Sequence, residues 1–402
     1  MILKQLYLLI KLTVKIIGLN LKTYLRKKNK DVFIVAEFGT EGGALTYFYY
    51  LLDYFEFKNI HYYLVLSPAQ IDADTLLKDR RFCKGIIPGY EIWRPYLKKS
   101  NSFALNLSYV LHQCNELLFF SRLNLKFRPD LFYFSVCNPE HYLIEFCLRA
   151  RVFYICHTLT NDPIDILNKR ILNYFLSCNK RIIVVSKAAK VLLLQNWKIT
   201  QQKSCFIYVV YNFYECDGSV PEIKMRGEKF NILTIGSLEW YKNPFLWIET
   251  AIELTRKLGE NKVEFIWVGT GTLKNDCESM IKSFDNIHFR GYQNKVEKFY
   301  TNADVYIQPS FSESFGIAVV GAMAHGLPCI VSNSGGLSEV VKNGKTGFVL
   351  EQKKPEAYVE LLLFIYDNPY ESIKLGMKGY DRFKELFTKD QWYQSMENVL
   401  KN

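Results

Sequence analysis

The first thirty residues contain no aspartate or glutamate, yet they carry eight lysines and arginines. Most of the formal net charge of +11 therefore sits at one end of the chain. The remainder is only mildly basic, and it lacks zinc-finger spacing and RRM-type aromatic motifs, so no nucleic-acid partner is expected. No uninterrupted apolar run is long enough to span a bilayer, because Lys4, Lys11 and Lys15 break residues 2–21. A clean apolar core followed by a small-residue cleavage site is also missing, which excludes a signal peptide. The ten cysteines form no CxxC pair and no ligand cluster, so they read as small buried hydrophobes in a reducing compartment. No GxGxxG dinucleotide pattern occurs, which disfavours hydride chemistry. The only Asp-x-Asp, Asp72-Ala-Asp74, follows a proline in a stretch without phosphate-binding character. No metal site is expected, and no cofactor.

What is present divides into two halves. At 402 residues, 49% of them apolar, the chain can bury two α/β cores. Continuous apolar runs predict strands at 31–38, 61–67, 130–136, 151–157, 181–187 and 205–212. After a polar stretch, further runs lie at 231–237, 263–269, 287–291, 304–310, 329–332 and 347–350. Runs of this kind between helices predict parallel sheets covered on both faces. The expected organisation is a basic segment 1–30, a domain 31–214, a linker 215–229, a domain 230–385 and a terminal helix 386–402 returning toward the first domain. Two doubly wound, Rossmann-like domains place ligands outside the carboxyl ends of their strands, which implies a cleft between facing sheets.

Lys4, Lys11, Lys15, Lys22 and Arg26 recur at helical spacing on one face of an otherwise apolar segment. Such a helix suits the headgroup plane of an anionic membrane surface. The alternative is packing on its own domain or on a partner chain.

Four stretches carry chemistry. Gly39-Thr-Glu-Gly-Gly-Ala44 follows the first strand and precedes a helix, where glycines allow close approach of a phosphate. Gly236-Ser-Leu-Glu-Trp-Tyr-Lys-Asn-Pro244 places Lys242 just before a helix opened by proline, where a cation can neutralise a diphosphate. Val268-Gly-Thr-Gly-Thr272 allows close approach of a base or ribose through Gly269 and Gly271. The most specific stretch runs from Gln308 to Phe348: Glu313 stands in a loop, and a helix begins near Phe315 with its amides facing a ligand.

From about Phe230 to Leu350 the chain resembles the donor-binding domain of family 4 retaining glycosyltransferases, the "group 1" enzymes of GT-B fold. Weaker similarity covers Gly42-Gly43, His157, residues 183–190 and residues 209–212. The resemblance implies that Lys242 meets the donor diphosphate and that Glu313, the first acid of the EX7E motif, lies near the donor sugar. Ser314, Phe315, Gly316 and Ile317 belong to the turn whose amides meet phosphate and sugar. Gly43, with Gly42, lies over the diphosphate; Tyr292 is on the donor side; and His157 stands near sugar or acceptor. Two positions depart from the pattern: Ser237 replaces an arginine, and Gly321 replaces the second acid, expected on the ribose. A carboxylate restored at 321 is expected to face the ribose hydroxyls.

These readings imply metal-independent, retaining transfer from a nucleotide sugar to a lipid-linked or surface-polysaccharide glycan, as in bacterial lipopolysaccharide or capsule assembly. They place the protein in the cytoplasm, peripheral at the inner face of the membrane. The rivals are a nucleotide-sugar epimerase of the same fold and a catalytically silent binding subunit.

Overall fold

The structure is a computed structural model and describes residues 2–23, 29–37, 43–66, 79–89, 103–136, 139–160, 163–164, 166–216, 219–222, 227–351 and 354–401. Arg26, residues 38–42 including Gly42, Asp72-Ala-Asp74 and Cys137 lie outside the described residues. The chain divides into two compact units, residues 1–184 with 190–208, and residues 185–189 with 209–402.

The first unit is built on a seven-stranded sheet of order β3-β2-β1-β4-β5-β6-β7. Its strands are β1 Val32–Glu37, β2 Tyr62–Leu66, β3 Cys83–Pro88, β4 Leu131–Val136, β5 Arg151–Cys156, β6 Lys180–Val184 and β7 Ile207–Val209. Pairing from β3 to β6 is parallel throughout. The central strands are apolar over most of their length because helices cover both faces; Phe132, Phe134, Phe153 and Ile155 have no exposed surface. Strand β3 was not expected. It is a half-exposed edge strand containing Lys84 and Gly85 and ending in Pro88, so it lacks the apolar run that marks the others. Lys84 reaches from it to the buried carboxylate of Asp31, at 2.7 and 2.9 Å.

The amino-terminal helix Ile2–Thr23 packs on helix Phe103–Phe127 of its own unit. Leu12 and Ile16 are buried, while Lys11, Lys15 and Lys22 stay exposed beside Leu8, Val14 and Ile17. The helix therefore docks by one face and leaves a mixed basic and apolar face to solvent. Among the described residues no helix is long and apolar enough to cross a membrane.

The second unit carries a six-stranded parallel sheet of order β10-β9-β8-β11-β12-β13. These are β8 Phe230–Ile235, β9 Val263–Val268, β10 Ile287–Phe289, β11 Val305–Gln308, β12 Cys329–Ser332 and β13 Gly347–Leu350. Both sheets are Rossmann-like, the arrangement expected of the GT-B class. Under helix Pro244–Leu258, Trp247 meets Trp267 and Phe265 edge-on, at centroid distances of 5.4 and 5.5 Å. Three helices, Pro355–Asp367, Pro369–Leu386 and Lys389–Lys401, complete the chain. The last was expected to return toward the first domain. Its Trp392 packs on Phe213, at 5.5 Å, and both residues cluster with the second unit, as do residues 209–214.

Candidate functional site

In the second sheet the strand order reverses between β8 and β11, and the loops leaving these two strands carry Lys242 and Glu313. Ligands of open parallel sheets sit at this switch point, outside the carboxyl ends of the strands. After β8 the chain makes one turn of 3-10 helix, Trp240–Lys242. Asn243 follows in a left-handed conformation (φ 58°) and gives its side-chain amide to the Pro309 carbonyl, 3.2 Å away. The Tyr241 carbonyl accepts the amides of Phe311 and Ser312, at 2.8 and 3.3 Å. The two loops are thus joined by backbone.

Within this frame the ammonium of Lys242 bonds Oε2 of Glu313, with the side chains only 15% and 12% exposed. Two residues expected in one site, 71 apart in sequence, do meet. Gln308 donates from Nε2 to Ser310 Oγ at 2.9 Å and lies 3.4 Å from the same Glu313 oxygen. The hydroxyl of Tyr306 donates to Gln308 Oε1 at 2.7 Å and accepts the Ile235 amide at 3.2 Å. Neither Tyr306 nor Gln308 was among the expected site residues. Alternation in a buried strand points a side chain inward but does not say that it is polar for a reason.

The turn after Glu313 is held from the segment that follows β12. Gly336 donates its amide to the Glu313 carbonyl at 2.9 Å, and a β-carbon on Gly336 would lie 2.5 Å from the Ser314 carbonyl oxygen. Gly316 has φ 103°, and the helix begins at Ile317, two residues after Phe315. The Phe315 ring is buried, stacked on Tyr211 at 5.7 Å and edge-on to Phe387, so its side chain anchors the turn while its amide stays with the loop.

Ser237, in the place of the family's arginine, pairs its hydroxyl with that of Tyr241 at 3.1 Å. Gly269 and Gly271 do permit a close backbone approach. The approach is by the neighbouring loop: β-carbons there would lie 2.0 Å from the Gly236 carbonyl oxygen and 2.5 Å from that of Leu238. The Trp267 indole holds the same Gly236 carbonyl at 2.8 Å. Tyr292, 55% exposed, follows Gly291, whose carbonyl accepts the Gly269 amide at 2.8 Å.

A glycine inside a helix at 321 implied either a bulky neighbour pressing on that face or a lost ribose contact that a carboxylate could restore. A β-carbon there would lie 2.7 Å from Tyr300 Oη and 2.9 Å from Tyr214 Cε2. Tyr300 has 1% exposure and gives its hydroxyl to the Ala318 carbonyl at 2.9 Å. Glycine stands at 321 because two tyrosines press on the helix.

In the first unit, His157 follows β5 and is buried. Its Nε2 lies 3.1 Å from Ser135 Oγ, and the Tyr47 ring sits edge-on to it at 4.6 Å. Burial lowers its pKa to about 3, so the imidazole is neutral at physiological pH. Gly43 opens helix Gly43–Phe57.

Residues 220–382 match the family described as Glycosyl transferases group 1. The UDP-Gal:alpha-D-GlcNAc-diphosphoundecaprenol alpha-1,3-galactosyltransferase of Escherichia coli is 26% identical over 205 residues, 48% of this chain and 52% of that enzyme. The chain therefore spans about half the length of that relative. A glycosyltransferase from Rickettsia africae has a similar fold, with TM-score 0.71, 18% identity and coverage of 94% of this chain and 100% of that one. HepE of Anabaena, solved with UDP and glucose, gives TM-score 0.69 at 16% identity, covering 93% of this chain and 100% of that one.

Proposed function

We propose that this chain, which carries a group 1 glycosyl transferase domain over residues 220–382, transfers a sugar from a nucleotide-sugar donor to a lipid-linked or surface-polysaccharide glycan, retaining the anomeric configuration. The observation that carries the reading is the contact of Lys242 with Glu313 at the strand-order switch point. A diphosphate competes with Glu313 for the Lys242 ammonium and draws further donors from the amides of Phe315, Gly316 and Ile317. Glu313, released from the ammonium, accepts hydrogen bonds from hydroxyls of the transferred sugar. The bond from the anomeric carbon to the diphosphate oxygen breaks as the bond to the acceptor oxygen forms. The acceptor proton passes to the leaving diphosphate on the same face. The chain supplies orientation and electrostatic stabilisation, with no metal, cofactor or side-chain nucleophile. His157, neutral and hydrogen-bonded to Ser135, offers a fixed polar edge to sugar or acceptor.

The exposed Lys11, Lys15 and Lys22, interleaved with Leu8, Val14 and Ile17, support a peripheral seat on an anionic membrane surface, where a lipid-linked acceptor resides. The E. coli relative acts on a diphosphoundecaprenol-linked sugar, and its donor makes UDP-sugars the first probes. The test is a panel of nucleotide sugars scored for protection against thermal unfolding, followed by transfer assays with the protective donor. Protection and acceptor-dependent release of nucleoside diphosphate are expected. Protection without turnover would favour a silent binding subunit, a reading to which the closed space at Gly321 lends support. No protection by any donor would overturn both.

A further inference from the structure

The backbone of Glu313 is fixed by its loop, but that leaves the carboxylate free to turn about the side-chain bonds. Among the described residues two groups bond it, and both act on Oε2: the Lys242 ammonium and the Gln308 amide, the latter at 3.4 Å. Gln308 is 2% exposed, so its amide must find partners inside the protein. Its orientation is determined on the far side. Tyr306, fully buried, accepts the Ile235 N–H at 3.2 Å, and of the two acceptors within reach of its hydroxyl hydrogen Gln308 Oε1, at 2.7 Å, is nearer than the Ile235 carbonyl, at 3.1 Å. Burial raises the Tyr306 pKa, which keeps that hydroxyl protonated and a donor. The amide oxygen of Gln308 then faces Tyr306, and both hydrogens of Nε2 point outward, one to Ser310 Oγ at 2.9 Å and one toward Glu313. Ser310 is itself fixed, since its carbonyl accepts the Ser332 hydroxyl at 2.6 Å.

We infer that Gln308 is a positioning residue: clamped by Tyr306 and Ser310, it sets the direction of the Glu313 carboxylate and so the meeting point of Glu313 and Lys242. The chain of contacts runs from the end of β8 through the side chain of β11 to the loop acid. The two strands flanking the switch point are thereby tied to the group that faces the ligand. The inference rests on the reading of Glu313 as the acid beside the transferred sugar.

Gln308→Met keeps the length of the side chain and removes both polar atoms. With a protective UDP-sugar, kcat should fall about tenfold, the loss of one hydrogen bond to a charged group, while UDP affinity stays within about twofold. Tyr306→Phe, which frees the amide to turn, should lose kcat in the same direction by less, and it serves where Gln308→Met folds poorly. In a Glu313→Gln background, Gln308→Met should cost less than about twofold further, because its effect passes through that carboxylate. Independent, multiplying losses, or a change confined to KM, would overturn the inference. A donor-free arm separates it from the enzymatic reading. Thermal unfolding of native protein, both single variants and the double variant should give non-additive changes in Tm. Additive changes overturn the contact whether or not any donor is turned over. Failure of the native protein to turn over any UDP-sugar overturns the enzymatic reading and leaves the unfolding cycle to decide the contact.

Discussion

The hydroxyl oxygen of Tyr300 lies 2.7 Å from the point where a β-carbon on Gly321 would sit. Real β-carbons do not approach so closely, so any larger residue at 321 must displace the helix or the ring. Gly321→Ala is expected to destabilise the protein by about 1–3 kcal/mol, the usual cost of overpacking, despite alanine's better helix propensity. Gly321→Glu should cost more, since it also buries a carboxylate, and should not improve donor binding. Chemical denaturation of Gly321→Ala, alone and with Tyr300→Phe, checks the cause. Removing the hydroxyl should recover part of the loss; an unchanged or more stable Gly321→Ala protein refutes the steric account.

Lys242 and Glu313 should separate in their kinetic effects although they touch. Lys242→Ala should lower transfer about ten- to a hundredfold and weaken UDP binding, because a charge-assisted contact to phosphate contributes about 1.5–3 kcal/mol. Lys242→Arg should restore part of it. Glu313→Gln should lower kcat while UDP affinity holds within a fewfold or improves, since the neutral amide competes less for the ammonium. Calorimetric titration with UDP beside steady-state rates distinguishes them. Full activity in Lys242→Ala would remove this loop from the diphosphate.

The legible parts of the molecule were those in which one local signal determines structure. Continuous apolar runs between helices marked twelve of the thirteen strands among the described residues. The edge strand β3 was missed because half its surface faces water, so Lys84 and Gly85 are tolerated there. The Lys242–Glu313 pairing was readable only through the family-like order of motifs, since nothing local to either residue points to the other. A mid-helix glycine at 321 pointed to a bulky neighbour as one of two explanations, but the neighbours themselves were not readable: the tyrosines come from two other segments, and only the fold brings them together. The chain Tyr306–Gln308 escaped for a related cause. A polar residue ending an apolar strand looks ordinary until its partners are known.

Replacing Lys11, Lys15 and Lys22 by glutamate should release the protein from anionic vesicles while leaving its fold intact. All three are exposed on helix Ile2–Thr23, whose buried contacts are made by Leu12 and Ile16 instead. Each lysine near such a surface contributes about 1 kcal/mol, screened by salt. Co-sedimentation with phosphatidylglycerol vesicles, at low and high salt, measures it. Undiminished binding by the triple variant would remove the membrane-surface proposal and leave sugar transfer standing.

Two buried bases give the first unit separate pH windows. His157 has a folded pKa of about 3, against an ordinary value of 6.5, because burial penalises the imidazolium. The unfolded chain therefore takes up this proton first, and stability falls as pH drops from about 6.5 toward 3, by up to about 1.4 kcal/mol per pH unit. Lys180, buried with its ammonium 2.5 Å from the Leu148 carbonyl, has its pKa lowered to about 7. It binds its proton more weakly folded than unfolded, so stability should rise with pH between about 7 and 10.5. His157→Asn should flatten the acid limb and leave the alkaline one; Lys180→Met should do the reverse. The same neutrality bears on catalysis. If His157 serves as a fixed polar edge rather than an acid or base, His157→Asn lowers the rate without removing an ionisation between pH 5 and 8 from the rate profile. A limb near pH 6.5 in the native profile that vanishes in His157→Asn would mean that the imidazole titrates in the working enzyme, and the positioning role would give way to general acid or base chemistry.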